Sequence, residues 1–234
     1  MRDRAQDVID FIETLRIPEG MMQGQPFVLR EWQKEIIRPV YGDLGENGLR
    51  RTRKAIFSVG KKNGKTPLVA GLALTHLMGP ESKTNEQIYS AAYERDQASI
   101  TFRYMRQMIE MDSQLSSLLT IRHAAKEIEC DRTGSIFKAL SSESKSKHGL
   151  GPALIIFDEL AQFGADREFY DTLIQGRGAH EEPLLWIIST QAADDLAVLS
   201  QEIDYAEKYG KEAGTFFDQG VAAWIVNRRF DERV

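Results

Sequence analysis

Two short groups of side chains in this chain of 234 residues have the types and spacing for phosphate chemistry: Gly64-Lys65-Thr66 and Asp158-Glu159. The first fills the last three positions of Gly-x-x-x-x-Gly-Lys-Ser/Thr. In that loop backbone N–H groups wrap phosphates, the lysine reaches the outer phosphates and the hydroxyl ligates magnesium. Val59 stands at the first glycine position, and Gly60 one residue later restores some backbone freedom. Lys61 and Asn63 complete a basic loop over residues 60–66. The second group can divide the work of phosphoryl transfer, with Asp158 holding the magnesium shell beside Thr66 and Glu159 polarising the attacking water. Together they imply that ATP and Mg2+ are bound, with Lys65 and Glu159 catalytic. A competing use of the acidic pair is to charge the N-terminus of a following helix.

Both groups depend on the elements around them. Lys54–Val59 is a short apolar strand that runs directly into the loop, and 67–74 is a helical pattern with Pro67 in its first turn, where a missing N–H costs little. Leu154–Phe157 and Leu184–Ile188 are near-continuous apolar runs, as in parallel strands covered on both faces. Asp158-Glu159 and Ser189-Thr190-Gln191 follow those runs, so they fall at the carboxyl edge of the sheet, where open α/β sheets bind ligands. Ser189 and Thr190 are suited there to sensing the outer phosphate. Helical spacing is also present over 4–16, 30–40 and 94–111, and Ile88–Ala91 reads as another strand. Glu127–Cys130 and Ser135–Leu140 flank Asp131-Arg132-Thr133-Gly134, a hairpin pattern. The expectation is an α/β fold of the P-loop NTPase type: a three-layer sandwich with a mostly parallel central sheet and a β-hairpin decoration. Residues 1–210 form the ATPase domain in this scheme, and 211–234 a polar C-terminal tail or a truncated linker region.

Composition narrows the choices. Hydrophobic residues make up 42% and charged residues 28%, the profile of an ordinary globular chain. The net charge of −5 excludes a uniformly basic surface, so any contact with nucleic acid is local. One cysteine, Cys130, cannot form an internal disulfide and reads as a small core residue. The histidines at 76, 123, 148 and 180 lack metal-ligand spacing, and no apolar run is long enough for a membrane span or signal sequence.

With these motifs in order, the chain resembles the ATPase domain of large terminase subunits, the DNA-packaging motors of tailed bacteriophages, over roughly residues 5–210. Leu29-Arg30-Glu31-Trp32-Gln33-Lys34-Glu35-Ile36-Ile37 is similar to the family's adenine motif. The resemblance thus assigns Trp32 and Gln33 to the nucleotide, although by residue type Trp32 also suits a core anchor. The loop 60–66 is similar to the family's variant loops, with Lys61 as the extra cation. In Ser90–Ala98 the resemblance puts Arg95 near the nucleotide or a subunit interface. In Ser144–Pro152 it offers Lys147 or Lys145 as a cation reaching a neighbour's ATP, and Trp186–Ala192 is similar to the coupling motif.

The resemblance implies ATP-driven translocation of double-stranded DNA into a procapsid by a ring of identical copies in the host cytoplasm, with a portal and a small terminase subunit as partners. Arg50, Arg51, Arg53, Lys54 and Arg132 are the candidate DNA contacts. Complete large terminases also carry a nuclease domain. The sequence stops before any such domain and no nuclease activity is expected, since Asp194, Asp195, Asp204 and Asp218 read as surface charges. A helicase-like P-loop ATPase and a nucleotide-binding fragment with a regulatory or interaction role remain as alternatives.

Overall fold

Every residue of β6 (Pro152–Asp158) and β7 (Leu184–Ser189) is buried, and their side chains alternate between two cores. Leu154, Ile156, Leu184, Trp186 and Ile188 enter one core, whereas Ile155, Phe157, Leu185 and Ile187 enter the other. That period of two, apolar on both sides, requires a covering layer on each face of the sheet. The computed structural model describes residues 3–58, 64–142, 150–190, 194–209 and 221–225.

The remaining strands are β1 (Lys54–Ser58), β2 (Gln87–Ala92), β3 (Leu119–Arg122), β4 (Glu127–Cys130), β5 (Ile136–Ser141) and β8 (Val221–Ile225). They form one eight-stranded sheet in the order β3-β4-β5-β2-β6-β7-β1-β8. Pairing is parallel from β5 through β8 and antiparallel at β3-β4 and β4-β5. Helices α1 (Arg4–Thr14), α2 (Glu31–Gly42), α3 (Lys65–Leu77), α4 (Arg95–Glu110) and α5 (Ser113–Leu118) contribute to the first core. Helices α6 (Glu168–Gln175) and α7 (Val198–Tyr209), with a 3-10 turn over Leu160–Phe163, cover the second. The expected three-layer α/β sandwich is therefore present. Helix α3 lies at its centre, buried from Leu68 to Leu77, as an apolar surface on all sides demands.

Two features differ from the sequence expectation. The hairpin β4-β5 is not appended to the sheet but continuous with it, because β5 pairs in parallel with β2 while β3 adds an unexpected outer strand. Within the segment expected as a polar tail, the run Val221–Ile225 pairs in parallel with β1. Cys130 is buried and unbridged, as expected.

The amino edge of the sheet is closed by charge. Arg50 is only 1% exposed, and its Nη1 lies 2.9 Å from Glu81 Oε2 while its Nη2 donates to the Glu182 carbonyl. Arg4 reaches both carboxylates, Glu81 at 2.6 Å and Glu182 at 2.8 Å, and Lys83 meets Glu182 at 3.1 Å. Burial alone would raise the Glu182 carboxyl, but hydrogen bonds from Arg4 and from the Arg50 backbone N–H outweigh it and bring it down to about 2. This network joins α1 to the segments that enter β1, β2 and β7. It also corrects one sequence expectation: Arg50 is a structural cation and cannot contact DNA. Lys54 is likewise occupied, by Glu202, and Arg53 donates to the Arg50 carbonyl, which leaves Arg51 and Arg132 exposed among the five candidates.

Removing one member strands buried charge. Arg50→Ala is expected to lower the unfolding free energy by about 3–5 kcal/mol, whereas Arg51→Ala should change it by less than about 0.5 kcal/mol. Urea denaturation of the two variants checks this, and equal effects would contradict the structural role of the network.

Candidate active site

Strand register decides which residues meet. Ser58 is paired with Ser189, and Asp158 with Ile188, so β1, β7 and β6 end at one edge of the sheet. Because β7 lies between β1 and β6, the residue that follows β7 stands between the end of β1 and the acidic pair. Gly64 precedes α3 with φ 72° and ψ 26°, a left-handed turn that glycine adopts at no steric cost. That turn makes Lys65 the first residue of a buried helix, with Thr66 half-buried beside it.

The Lys65 ammonium Nζ lies 2.6 Å from Glu159 Oε1, and side-chain exposure is only 8% and 12% for the two residues. Glu159 itself has φ 57° and ψ 52°, a left-handed conformation rare for a residue with a side chain. Its backbone N–H donates to the Ile188 carbonyl at 2.8 Å, which locks this turn to β7. The other carboxylate oxygen, Oε2, accepts from the Thr190 backbone N–H at 3.0 Å and the Thr190 hydroxyl at 2.8 Å. Burial acts to raise the Glu159 carboxyl, but the hydrogen bonds from Lys65 and Thr190 prevail and hold it below the usual range. Ser189 is fully buried, and its Oγ accepts from the Ala161 N–H at 3.1 Å, so it braces the turn after Glu159 while Thr190 touches the carboxylate.

Asp158 is 4% exposed, and among the described residues its side-chain hydrogen bond is a long one, from Gln97 Nε2 at 3.5 Å. Burial raises its carboxyl to about 6, the Glu159 charge adds to this, and Lys65 and Gln97 oppose it. A buried carboxylate so weakly satisfied favours a cation at its oxygens, and the oxygen donors Asp158 and Thr66 suit the hard ion Mg2+. Gln97 is the site residue that sequence reasoning passed over. The only available signal was its place in the first turn of the helix after β2, two residues beyond Arg95.

Helix α2 also approaches the start of α3. Gln33 is buried, its Oε1 accepts from the Arg30 N–H at 2.9 Å, and a side-chain carbon placed at Gly64 would stand 3.9 Å from its Nε2. One face of Trp32 stacks on Phe57 with ring centroids 5.4 Å apart, which fixes α2 to β1. Arg95 is exposed at the start of α4. Gly60, Lys61, Asn63, Lys145, Lys147 and Gln191 lie outside the described residues. Asp194, Asp195 and Asp204 are exposed, and no group of three or more His, Cys, Asp or Glu side chains that could hold a metal is assembled among the described residues. No described helix is long and apolar enough to cross a membrane.

A parallel strand, a left-handed glycine, a buried lysine-led helix and an acidic pair two strands away define a P-loop NTPase. Residues 31–208 match the family described as terminase large subunit, ATPase domain, and the chain belongs to that family. The terminase large subunit of Enterobacteria phage HK97 is 43% identical over 207 residues, which is 88% of this chain and 40% of that protein. The crystal structure of the HK97 large terminase matches with a TM-score of 0.85 and 38% identity, covering 99% of this chain and 46% of that one. The chain thus spans less than half the length of these relatives. The large terminase ATPase domain of Thermus phage P74-26 shares the fold at 14% identity, with a TM-score of 0.56 over 74% of this chain and 75% of that one. So does the large terminase of a thermophilic bacteriophage, solved in complex with ADP, at 11% identity and a TM-score of 0.51 over 73% of this chain and 39% of that one.

The raised Asp158 carboxyl sets a pH signature. A carboxyl near 6 in the folded chain and 3.8 in the unfolded one costs stability as pH rises through that interval. Asp158→Asn removes the cost, so it should stabilise the nucleotide-free protein by about 3 kcal/mol above pH 6 and by little near pH 4. Thermal unfolding across this range checks the sign, and a destabilised variant at neutral pH would contradict it.

Proposed function

We propose that this chain binds ATP with Mg2+ and hydrolyses it, as the motor domain of a tailed-bacteriophage terminase that drives double-stranded DNA into a procapsid. The observation that carries this reading is the 2.6 Å approach of Lys65 to Glu159, which joins phosphate loop and acidic pair in one site. The family relationship supports it from a separate direction.

Each residue then has a distinct task. Lys65 turns from Glu159 to the outer phosphates, and the N–H groups at the start of α3 face the same anion, where the helix dipole favours it. Thr66 and Asp158 hold Mg2+, with Gln97 orienting Asp158. When bound, the ion neutralises charge on the phosphate oxygens. Glu159 takes a proton from water as its oxygen bonds to the γ-phosphorus, and the bond to the bridging oxygen breaks, releasing ADP and phosphate. Gln33 keeps its Oε1 on the Arg30 N–H, so its amide NH2 is the group left to donate to an adenine ring nitrogen. Thr190, already on Glu159, is the better placed of the two polar strand-end residues to respond to the outer phosphate.

The remaining assignments follow the family. Lys61 adds positive charge to the loop, Arg95 faces the nucleotide or a neighbouring subunit, and Lys147 or Lys145 reaches ATP held by an adjacent copy in a ring. Double-stranded DNA, a portal and a small terminase subunit are the further partners, and the host cytoplasm is the setting.

Steady-state ATP hydrolysis tests the catalytic assignment. Glu159→Gln should lose about 100-fold or more, in line with removal of a general base, and a rate equal to the wild type would overturn it. A wild-type rate that rises more steeply than protein concentration is expected if a cation acts between copies, and strict proportionality would contradict that sharing.

A further inference from the structure

Gln97 reaches Asp158 from the first turn of α4, and their hydrogen bond, at 3.5 Å, stands at the limit of such contacts. A small displacement of that turn therefore decides whether the bond is made. The turn has little of its own to fix it. Glu94 at the N-cap makes no side-chain cap hydrogen bond, residues 93–96 are all exposed, and the first buried side chain is Ala98. Ser142 Oγ donates to the Tyr93 carbonyl at 2.7 Å, which holds the approach to the helix rather than the turn itself.

The β3-β4 hairpin grips the turn from the side. Glu127 opens β4 opposite Lys138, and the Ala139 N–H donates to the Lys126 carbonyl at 3.2 Å, so the tip over residues 123–126 lies at the carboxyl edge of the sheet. From there the Lys126 ammonium donates to Ser99 Oγ and lies 3.5 Å from the Arg95 carbonyl, while Ser99 Oγ donates to that same carbonyl at 2.6 Å. His123 meets the Phe102 ring edge-on further along α4, with ring centroids 6.5 Å apart. Lys126 has φ 52°, a conformation rare for a residue with a side chain, and a cation at a helix N-terminus works against the dipole. A residue that bears both costs is held in place by its surroundings, as happens where position matters to a site.

We propose that Lys126 is a positioning residue for the magnesium carboxylate: by fixing the first turn of α4 it sets the reach of Gln97 to Asp158. This rests on the reading above that Asp158 holds Mg2+. The Mg2+ concentration that half-maximally tightens binding of a fluorescent ADP analogue reads the ion site without turnover. Gln97→Ala should raise that concentration about tenfold, as loss of a group that orients a metal-binding carboxylate does. Lys126→Met keeps the apolar stem and should raise it roughly threefold to fivefold, the size of one lost hydrogen bond, while Lys126→Arg restores the wild-type value. In the double variant Lys126→Met should add nothing to Gln97→Ala, because the route runs through the amide.

A wild-type half-point in Lys126→Met, or full multiplication of the two effects in the double variant, would overturn the proposal. An Asp158→Asn chain with the wild-type half-point would instead overturn the placement of the ion on Asp158. Ser99→Ala removes the other end of the Lys126 contact and suits a helix better than serine does, so the fold is retained. It should raise the half-point roughly twofold. Thermal unfolding shows which variants are folded, and if Lys126→Met is not among them, Ser99→Ala at the wild-type half-point overturns the proposal by itself.

Discussion

A lysine ammonium buried at the end of a parallel sheet needs a negative charge within reach, and the arrangement of three chain segments in this protein answers that need. Lys65 is drawn inward because it opens α3, a helix whose apolar surface commits it to the centre of the first core. Glu159 meets it from the turn after β6, and Thr190 fixes Glu159 from the turn after β7. The contact exists only because β7 separates β1 from β6 and all three run in the same direction. A strand order that set β1 and β6 further apart would leave an uncompensated ion on each side.

The two edges of the sheet use charge in opposite ways. At the amino edge, Arg4, Arg50, Glu81 and Glu182 are matched in a closed network that joins loops and gives no group a reason to move. At the carboxyl edge the charges are incompletely matched. Among the described residues Asp158 has one long side-chain hydrogen bond, its carboxyl is raised, and Glu159 sits in an unfavourable backbone conformation held by its neighbours. Strain and partial satisfaction of this sort persist where the surrounding structure over-determines them, and they suit a site that exchanges partners with a charged substrate. The fold stays rigid at one edge and leaves exchangeable contacts at the other.

Much of this was visible in the residues themselves. Near-continuous apolar runs ending in polar pairs located β6 and β7, and the loop with Pro67 in the next turn located β1 and α3, because these signals are local. The meaning of Arg50 was not local. Its partner Glu182 lies 132 positions away, and nothing in a run of arginines distinguishes a buried cation from a surface one. Gln97 was hidden for the same reason, since its value comes from facing Asp158 across the sheet edge. Strand β3 escaped notice because four residues with one buried position carry little periodicity. The run at 221–225 was obscured by its polar surroundings, although its pairing with β1 makes it part of the sheet.

The central claim is that Lys65, which lies on Glu159, turns to phosphate when nucleotide binds. The most direct measurement is a crystal structure of the chain with Mg2+ and a non-hydrolysable ATP analogue. The account predicts Lys65 Nζ about 3 Å from phosphate oxygens, beyond hydrogen-bonding distance of Glu159, with Thr190 still on the freed carboxylate. A bound analogue with Lys65 still paired to Glu159 and no phosphate oxygen within reach of the ammonium would contradict it.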